Sequence, residues 1–289
     1  MKRFMKILAL CLSFLLLVSC VNDGGSDMDK NDDKNPTETV KKPDPVLTPV
    51  NEVYDIKQFA YRESENGMPY RYYAPDDYSD DYAYPVVLFL HGAGERGTDN
   101  EAPLIHVLQD WFNDTESPIY QSIIIVPQCP EEEQWVNTPW ENGSYDSTAV
   151  GESNAIKEAL AILDEICKTD SVNLDRIYVA GISMGGYGTW NLLMNHSDLF
   201  AAGMPICGAA DPSKAEVLKD MPIFAFHGDR DSVVPTAGTR DMVNAIIAKG
   251  GTKAIFHEVL NTDHNSWAYA ASRGDALRWI FSHRRTEKE

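Results

Sequence analysis

The chain has 289 residues, 43% of them apolar and 10% aromatic, which fits one large globular domain with extra segments and excludes a disordered protein. Its formal charge is −19. So acidic a surface repels polyanions, which argues against nucleic acid as a partner and suits a neutral substrate.

The N-terminus differs from the rest. Lys2, Arg3 and Lys6 precede an apolar run from Ile7 to Val18 that only Ser13 interrupts. A membrane span needs about 20 apolar residues, so this shorter run predicts an export signal over residues 1–19. It ends in Leu17-Val18-Ser19-Cys20, which resembles the lipobox of bacterial lipoproteins. The resemblance implies cleavage before Cys20, lipid attachment to Cys20 and a membrane partner through that anchor. Val21, in place of an aspartate, points to the outer membrane of the cell envelope. Losing Lys2, Arg3 and Lys6 with the signal takes the formal charge from −19 to −22. Residues 20–48 are polar and rich in Gly and Pro, as in Asp23-Gly24-Gly25-Ser26-Asp27 and Lys41-Lys42-Pro43-Asp44-Pro45. They cannot bury enough surface to offset their ordering entropy and read as a flexible tether, leaving 49–289 as the catalytic domain.

From residue 49 strand-like and helix-like stretches alternate. Tyr70–Tyr73 predicts an early antiparallel strand near a sheet edge, and the apolar run Pro85–Leu90 a central strand covered on both faces. Residues 92–121 read as loop and short helix, 122–126 as another buried strand. Residues 127–152 form a long irregular stretch carrying Trp135, Pro139 and Trp140; long loops are often functional rims, so Trp140 is a candidate substrate contact. Ala155, Ala159, Ile162, Leu163 and Ile166 recur at helical spacing. Strands follow at 176–180, 203–207, 223–226 and 254–259, with helices at 186–195, 236–249 and 268–283. There is no internal repeat. This alternation predicts an α/β domain with a mostly parallel sheet. Of five cysteines, Cys11 leaves with the signal and Cys20 is the lipid site. Cys129, Cys167 and Cys207 match no metal spacing; Cys167 reads as a buried thiol, and a Cys129–Cys207 disulfide stays open.

Gly181-Ile182-Ser183-Met184-Gly185 sits between the strand at 176–180 and the helix that follows. A G-x-S-x-G at such a junction is a nucleophile elbow, with glycines needed where a Cβ would clash. A serine nucleophile needs a base and an acid later in the chain. His227-Gly228-Asp229-Arg230-Asp231 follows an apolar strand, and Asp231 is the expected acid, with Asp229 the runner-up. His264, in Asp263-His264-Asn265-Ser266-Trp267 after the last strand, is the expected base, and Trp267 beside it is a second candidate substrate contact. His91 and His227 read as histidines bonded to nearby backbone. The oxyanion needs two amides: Met184 supplies one, and the loop His91-Gly92-Ala93-Gly94-Glu95-Arg96-Gly97 the other, from Ala93 with Gly92 as fallback. Glu95 and Arg96 either touch substrate or pair with each other.

HGAGERG (91–97), PQCP (127–130), GISMGGYGTW (181–190), HGDRDSVVP (227–235) and HNSW (264–267) together resemble the α/β-hydrolase superfamily from Tyr70 to the C-terminal helix. They resemble in particular the bacterial phospholipase/carboxylesterase group, also labelled "predicted peptidase". They are similar too to secreted feruloyl and acetylxylan esterases and polyhydroxybutyrate depolymerases. The resemblance implies carboxylic-ester hydrolysis of a small-molecule or oligosaccharide ester, such as an acetylated or feruloylated polysaccharide fragment. It implies no metal and no organic cofactor. Two other readings use the same motifs: a serine peptidase of the prolyl-oligopeptidase type, though there is no room for a propeller, and a non-catalytic surface glycan-binding protein on a hydrolase scaffold.

Overall fold

A computed structural model describes residues 41–285. The signal at 1–19, the lipid site Cys20 and the tether as far as residue 40 lie outside the described residues. Among the described residues, eight strands form one sheet: β1 (Ala60–Glu63), β2 (Pro69–Tyr73), β3 (Tyr84–Leu90), β4 (Ile123–Pro127), β5 (Val172–Ile182), β6 (Ala202–Ile206), β7 (Ile223–Gly228) and β8 (Ala254–Val259). Their spatial order is β1-β2-β4-β3-β5-β6-β7-β8. β2 runs antiparallel to β1 and β4; all other pairs are parallel. Among the described residues seven α-helices accompany them: α1 (Leu108–Asn113), α2 (Ser147–Val150), α3 (Asn154–Thr169), α4 (Met184–Asn195), α5 (Ala237–Ala248), α6 (Trp267–Ala271) and α7 (Gly274–Phe281). The result is an α/β-hydrolase fold.

The continuous apolar run of β3 follows from its position. Val86, Leu88 and Leu90 face the core shared with α3, α4 and α5, whereas Val87 and Phe89 face the core shared with α1, α6 and α7. Successive strand side chains point to opposite faces, so a strand with helices on both sides is apolar throughout. Ala155, Ile156, Ala159, Ile162, Leu163 and Ile166 of α3 are the buried stripe that the spacing predicts, and the Ser153 side chain caps the helix by accepting the Ile156 amide at 3.1 Å. β3 and β5 are adjacent with Leu90 opposite Gly181, which puts the glycine-rich loop after β3 beside the serine turn after β5.

The structure departs from the sequence reading in four places. β1 was not foreseen: it is an edge strand with three exposed residues in four, so it has no apolar signature. The predicted helix at 268–283 is two helices, because Arg273 leaves helical geometry with ψ 73. Ala270 and Leu277, seven residues apart, are both buried, so apolar periodicity reads through the break. Residues 42–44 belong to the domain and not to the tether predicted for 20–48. Pro43 O accepts the Ala83 amide at 2.9 Å, Lys42 donates to Ser171 Oγ at 2.8 Å, and the Asp44 carboxylate holds Asn173, Arg176 and Arg284. Finally, Cys167, expected to be buried, is half-buried; Cys129, Cys167 and Cys207 are free thiols, so the Cys129–Cys207 pairing that the sequence left open is not formed. Burial pushes the Cys129 thiol up to about 12 and that of Cys167 up to about 11.

Candidate active site

Ser183 lies between the end of β5 and the start of α4 with φ 52 and ψ −117, a backbone conformation that non-glycine residues seldom adopt. Packing enforces it. A Cβ at Gly185 would fall on the carbonyl groups of Leu90 and His91, one at Gly186 on Ile206 O, and one at Gly181 on Gly185 O. The turn is therefore closed in on three sides by main chain, and Ser183 N donates to Ile206 O at 2.9 Å.

Ser183 Oγ is 2.8 Å from His264 Nε2, and His264 Nδ1 is 2.8 Å from Asp231 Oδ2. The three side chains predicted from sequence meet in one hydrogen-bonded line, although 33 residues separate Asp231 from His264 and 81 separate Ser183 from His264. Asp229, the runner-up, is not part of this line; it accepts the Thr262 amide at 3.1 Å. Asp263 accepts the Ser232 amide at 2.8 Å and the Ser232 hydroxyl at 2.9 Å, so two carboxylates staple the acid loop to the histidine loop.

The Asp231 side chain is fully buried. Burial alone would push its carboxyl up. His227, His264 and the amides of Val234 and Val233, at 2.8 and 2.9 Å from Oδ1, outweigh that and hold it well below the usual carboxylate range. His227 does more than the backbone bonding that its position suggests. Its fully buried ring places Nε2 3.0 Å from Val234 O and 3.1 Å from Asp231 Oδ2. Both are acceptors, so Nε2 carries a proton. Asp231 thus receives two imidazoles on Oδ2 and two amides on Oδ1, and remains an anion. The signal for His227 was its spacing of four from Asp231, but only the loop conformation brings the two together.

Met184 is the first residue of α4 and Ala93 the first of the 3-10 turn Ala93–Glu95, so neither amide has an acceptor within its own helix. Gly92 lies against the serine: a Cβ added there would be 3.6 Å from Ser183 Cβ. His91 braces this turn. Its Nε2 accepts the Cys129 amide at 2.9 Å, which leaves Nδ1 to donate to Gly92 O at 2.6 Å, and Trp135 Nε1 donates to His91 O at 3.0 Å. The neutral tautomer is thereby specified.

Burial, with repulsion from Arg96, holds the His91 imidazole down to about 4 despite the Gly92 carbonyl. The unfolded chain takes up this proton near pH 6.5 and the folded chain does not. Stability is therefore complete above about pH 6.5 and declines as pH falls towards 4, by about 3 kcal/mol for this group. The expected result is a fall in the urea midpoint between pH 7 and pH 4.5 that is clearly smaller in His91→Gln. That variant keeps an acceptor for the Cys129 amide and a donor for Gly92 O. An equal fall in both proteins would show that His91 is not the cause.

Glu95 and Arg96 do not pair with each other; they reach different partners. Arg96 donates to Ala93 O at 2.9 Å and to Glu133 O at 3.2 Å, with its guanidinium 6.0 Å from the Trp140 ring. Trp140 in turn accepts the Tyr187 hydroxyl on its carbonyl at 2.8 Å. Glu95 has Oε1 3.6 Å from His106 Nε2. The His106 ring is 5.4 Å from Trp267, and Trp267 stands edge-on to the His264 ring at 5.4 Å and 88°. Trp140 and Trp267 thus belong to two different groups of side chains leaving the loops around Ser183. His106 was not foreseen, because no sequence motif links it to Glu95.

The chain matches the family model described as "Putative esterase" over residues 63–277. It belongs to this esterase family. Among curated relatives, it is 26% identical to feruloyl esterase B of Thermothelomyces thermophilus over 142 residues, 48% of this chain and 43% of that protein. It is 30% identical over 73 residues to the bifunctional acetylxylan esterase/xylanase XynS20E of Neocallimastix patriciarum, 25% of this chain and 11% of that protein. The chain therefore spans less than half the length of either relative. A thermostable esterase of known crystal structure is similar at 31% identity with a TM-score of 0.68, over 80% of this chain and 64% of the other. These likenesses bear on the esterase domain and say nothing of the residues outside it.

Proposed function

We propose that this member of the esterase family is a serine carboxylic-ester hydrolase. The observation that carries the proposal is the unbroken line Ser183 Oγ–His264–Asp231, each link at 2.8 Å, ending on a carboxylate held as an anion. Ser183 Oγ attacks the ester carbonyl while His264 Nε2 takes its proton. The amides of Met184 and Ala93 receive the oxyanion of the tetrahedral intermediate. His264 passes the proton to the departing alcohol, leaving an acyl-enzyme on Ser183. Water, activated by the same imidazole, then releases the acid. Asp231 holds the imidazole with Nδ1 protonated and stabilises the imidazolium. No step calls for a metal or organic cofactor.

The substrates we propose are acetyl or feruloyl esters of polysaccharide fragments, supported by the names of the two curated relatives. The purified full chain is expected to turn over p-nitrophenyl acetate, butyrate and octanoate together with methyl ferulate, and the order of rates gives the acyl preference. Cleavage of matched amides in preference to these esters would favour a peptidase instead. For location, we propose export and anchoring through Cys20 to the outer membrane of the cell envelope, on the strength of the basic, apolar and Leu-Val-Ser-Cys order of residues 1–20. The mature protein is then expected to begin at a Cys20 carrying acyl chains. An N-terminal peptide mass for unmodified Cys20, or one beginning elsewhere, would refute the anchor.

A further inference from the structure

The loop after β3 puts a carboxylate close to the reacting serine that the reaction just described does not use. Glu95 Oε2 lies 2.8 Å from the point that a Gly92 Cβ would occupy, and that point is 3.6 Å from Ser183 Cβ. The Glu95 side chain is only 12% exposed. Burial raises its carboxyl from the ordinary value, while His106 and the amides of Gly92 and Glu95 pull it back only in part. A desolvated carboxylate beside the serine turn is costly unless it has a function or a further donor.

His264 delivers the proton to the departing alcohol, so the alcohol leaves on the His264 side. Trp267 stands edge-on against His264, His106 stands against Trp267, and Glu95 faces His106. The alcohol therefore meets an indole and, behind it, the Glu95–His106 pair. We infer that Glu95, His106 and Trp267 form a leaving-group subsite for a hydroxylated ring alcohol, with Glu95 accepting a hydrogen bond from a hydroxyl near the ester oxygen and Trp267 covering a ring face. The inference rests on the ester-hydrolase reading and concerns the alcohol, whereas that reading concerns the acyl transfer.

A carboxylate accepts at about four lone-pair positions, and His106 Nε2, 3.6 Å from Oε1, is too far away to fill one with a hydrogen bond. Room remains for an outside donor. A neutral hydroxyl fits better than a cation, because Glu95 already faces the basic His106 ring. An alkyl alcohol would cover Glu95 without satisfying it. Sites built to bind a hydroxyl reject analogues lacking it much more strongly than apolar pockets reject an added one.

The test compares two acetate esters of similar ring size, a mono-acetylated methyl xyloside and cyclohexyl acetate, on the full chain. The ratio of kcat/KM values is expected to favour the xyloside by about tenfold or more. In Glu95→Gln and Glu95→Leu that preference should fall by about tenfold, mainly through KM for the xyloside. His106→Gln, which leaves the carboxylate in place but removes a basic partner, should lower it by a smaller factor of about three. Near-UV circular dichroism shows whether each variant is folded, and the three variants need not all survive for the ratio to be read. An unchanged ratio in folded Glu95 variants that still turn over both esters would overturn the subsite and leave ester hydrolysis standing. Failure of the unaltered protein to turn over either ester would overturn ester hydrolysis, and the subsite with it.

Discussion

Replacing Ser183 with alanine is expected to lower ester turnover by about 10⁴-fold or more while leaving the fold intact. The size follows from the chemistry. Without Oγ there is no acyl-enzyme, and His264 can at most direct a water against the carbonyl. What remains is binding and the oxyanion amides, which by themselves still give some acceleration over water. The fold should survive, because Ser183 Oγ is hydrogen-bonded to His264 Nε2 and alanine keeps the same Cβ in the same turn. The measurement is kcat on p-nitrophenyl acetate together with labelling by a fluorophosphonate probe. The unaltered protein should label and Ser183→Ala should not. Turnover within about tenfold of the unaltered protein would assign the nucleophile elsewhere and break the proposed mechanism at its first step.

Gly185→Ala is expected to be the most damaging methyl that can be added near the site. Its Cβ would fall on Leu90 O and against the carbonyl of His91, both main chain at the end of β3, where no side chain can rotate out of the way. Overpacking of a side chain commonly costs about 1–3 kcal/mol, and a clash against a strand in the middle of the sheet should cost at least the upper end of that range. The first turn of α4 would have to lift away from β3, carrying Met184 and Ser183 with it. Activity should therefore fall further than stability alone explains. Gly94→Ala is the control for stability: an added Cβ there has nothing within 4 Å, and its urea midpoint should correspond to a change within about 0.5 kcal/mol. Equal midpoints for the two variants would show that the elbow tolerates a side chain and that its glycines are not required by packing.

Much of the architecture was legible in the chain because it is written in short-range patterns. The apolar run at 85–90 marks a strand with helices on both faces, and it does pack on both. The helical spacing at 155–166 marks the stripe that α3 buries. Gly181-x-Ser183-x-Gly185 encodes the elbow because the turn leaves no room for a Cβ at the glycines, Gly181 against Gly185 O within the turn and Gly185 against the main chain of Leu90 and His91. What escaped was either featureless or dependent on geometry. The edge strand β1 is mostly exposed and so carries no periodic signal, and the break between α6 and α7 leaves the apolar phase intact. The early start of the domain at Lys42 hangs on Asp44, whose partners Asn173, Arg176 and Arg284 lie 129 residues or more along the chain.

By itself, the sequence determined the order of strands β2 to β8 and of helices α3, α4 and α5, the identities of Ser183, Asp231 and His264 as candidates, and the glycine-rich loop facing the serine. Each of these is a local matter, of backbone freedom, burial period or residue order. Only the tertiary structure put Asp231 against His264 and Asp229 on the Thr262 amide, brought His227 onto the same carboxylate oxygen as His264, and sent Glu95 towards His106 while Arg96 went to Trp140. The reason is that these contacts join segments far apart in the chain or depend on which way a side chain leaves its loop. Strand register and loop packing set both, and neither leaves a pattern in the neighbouring residues.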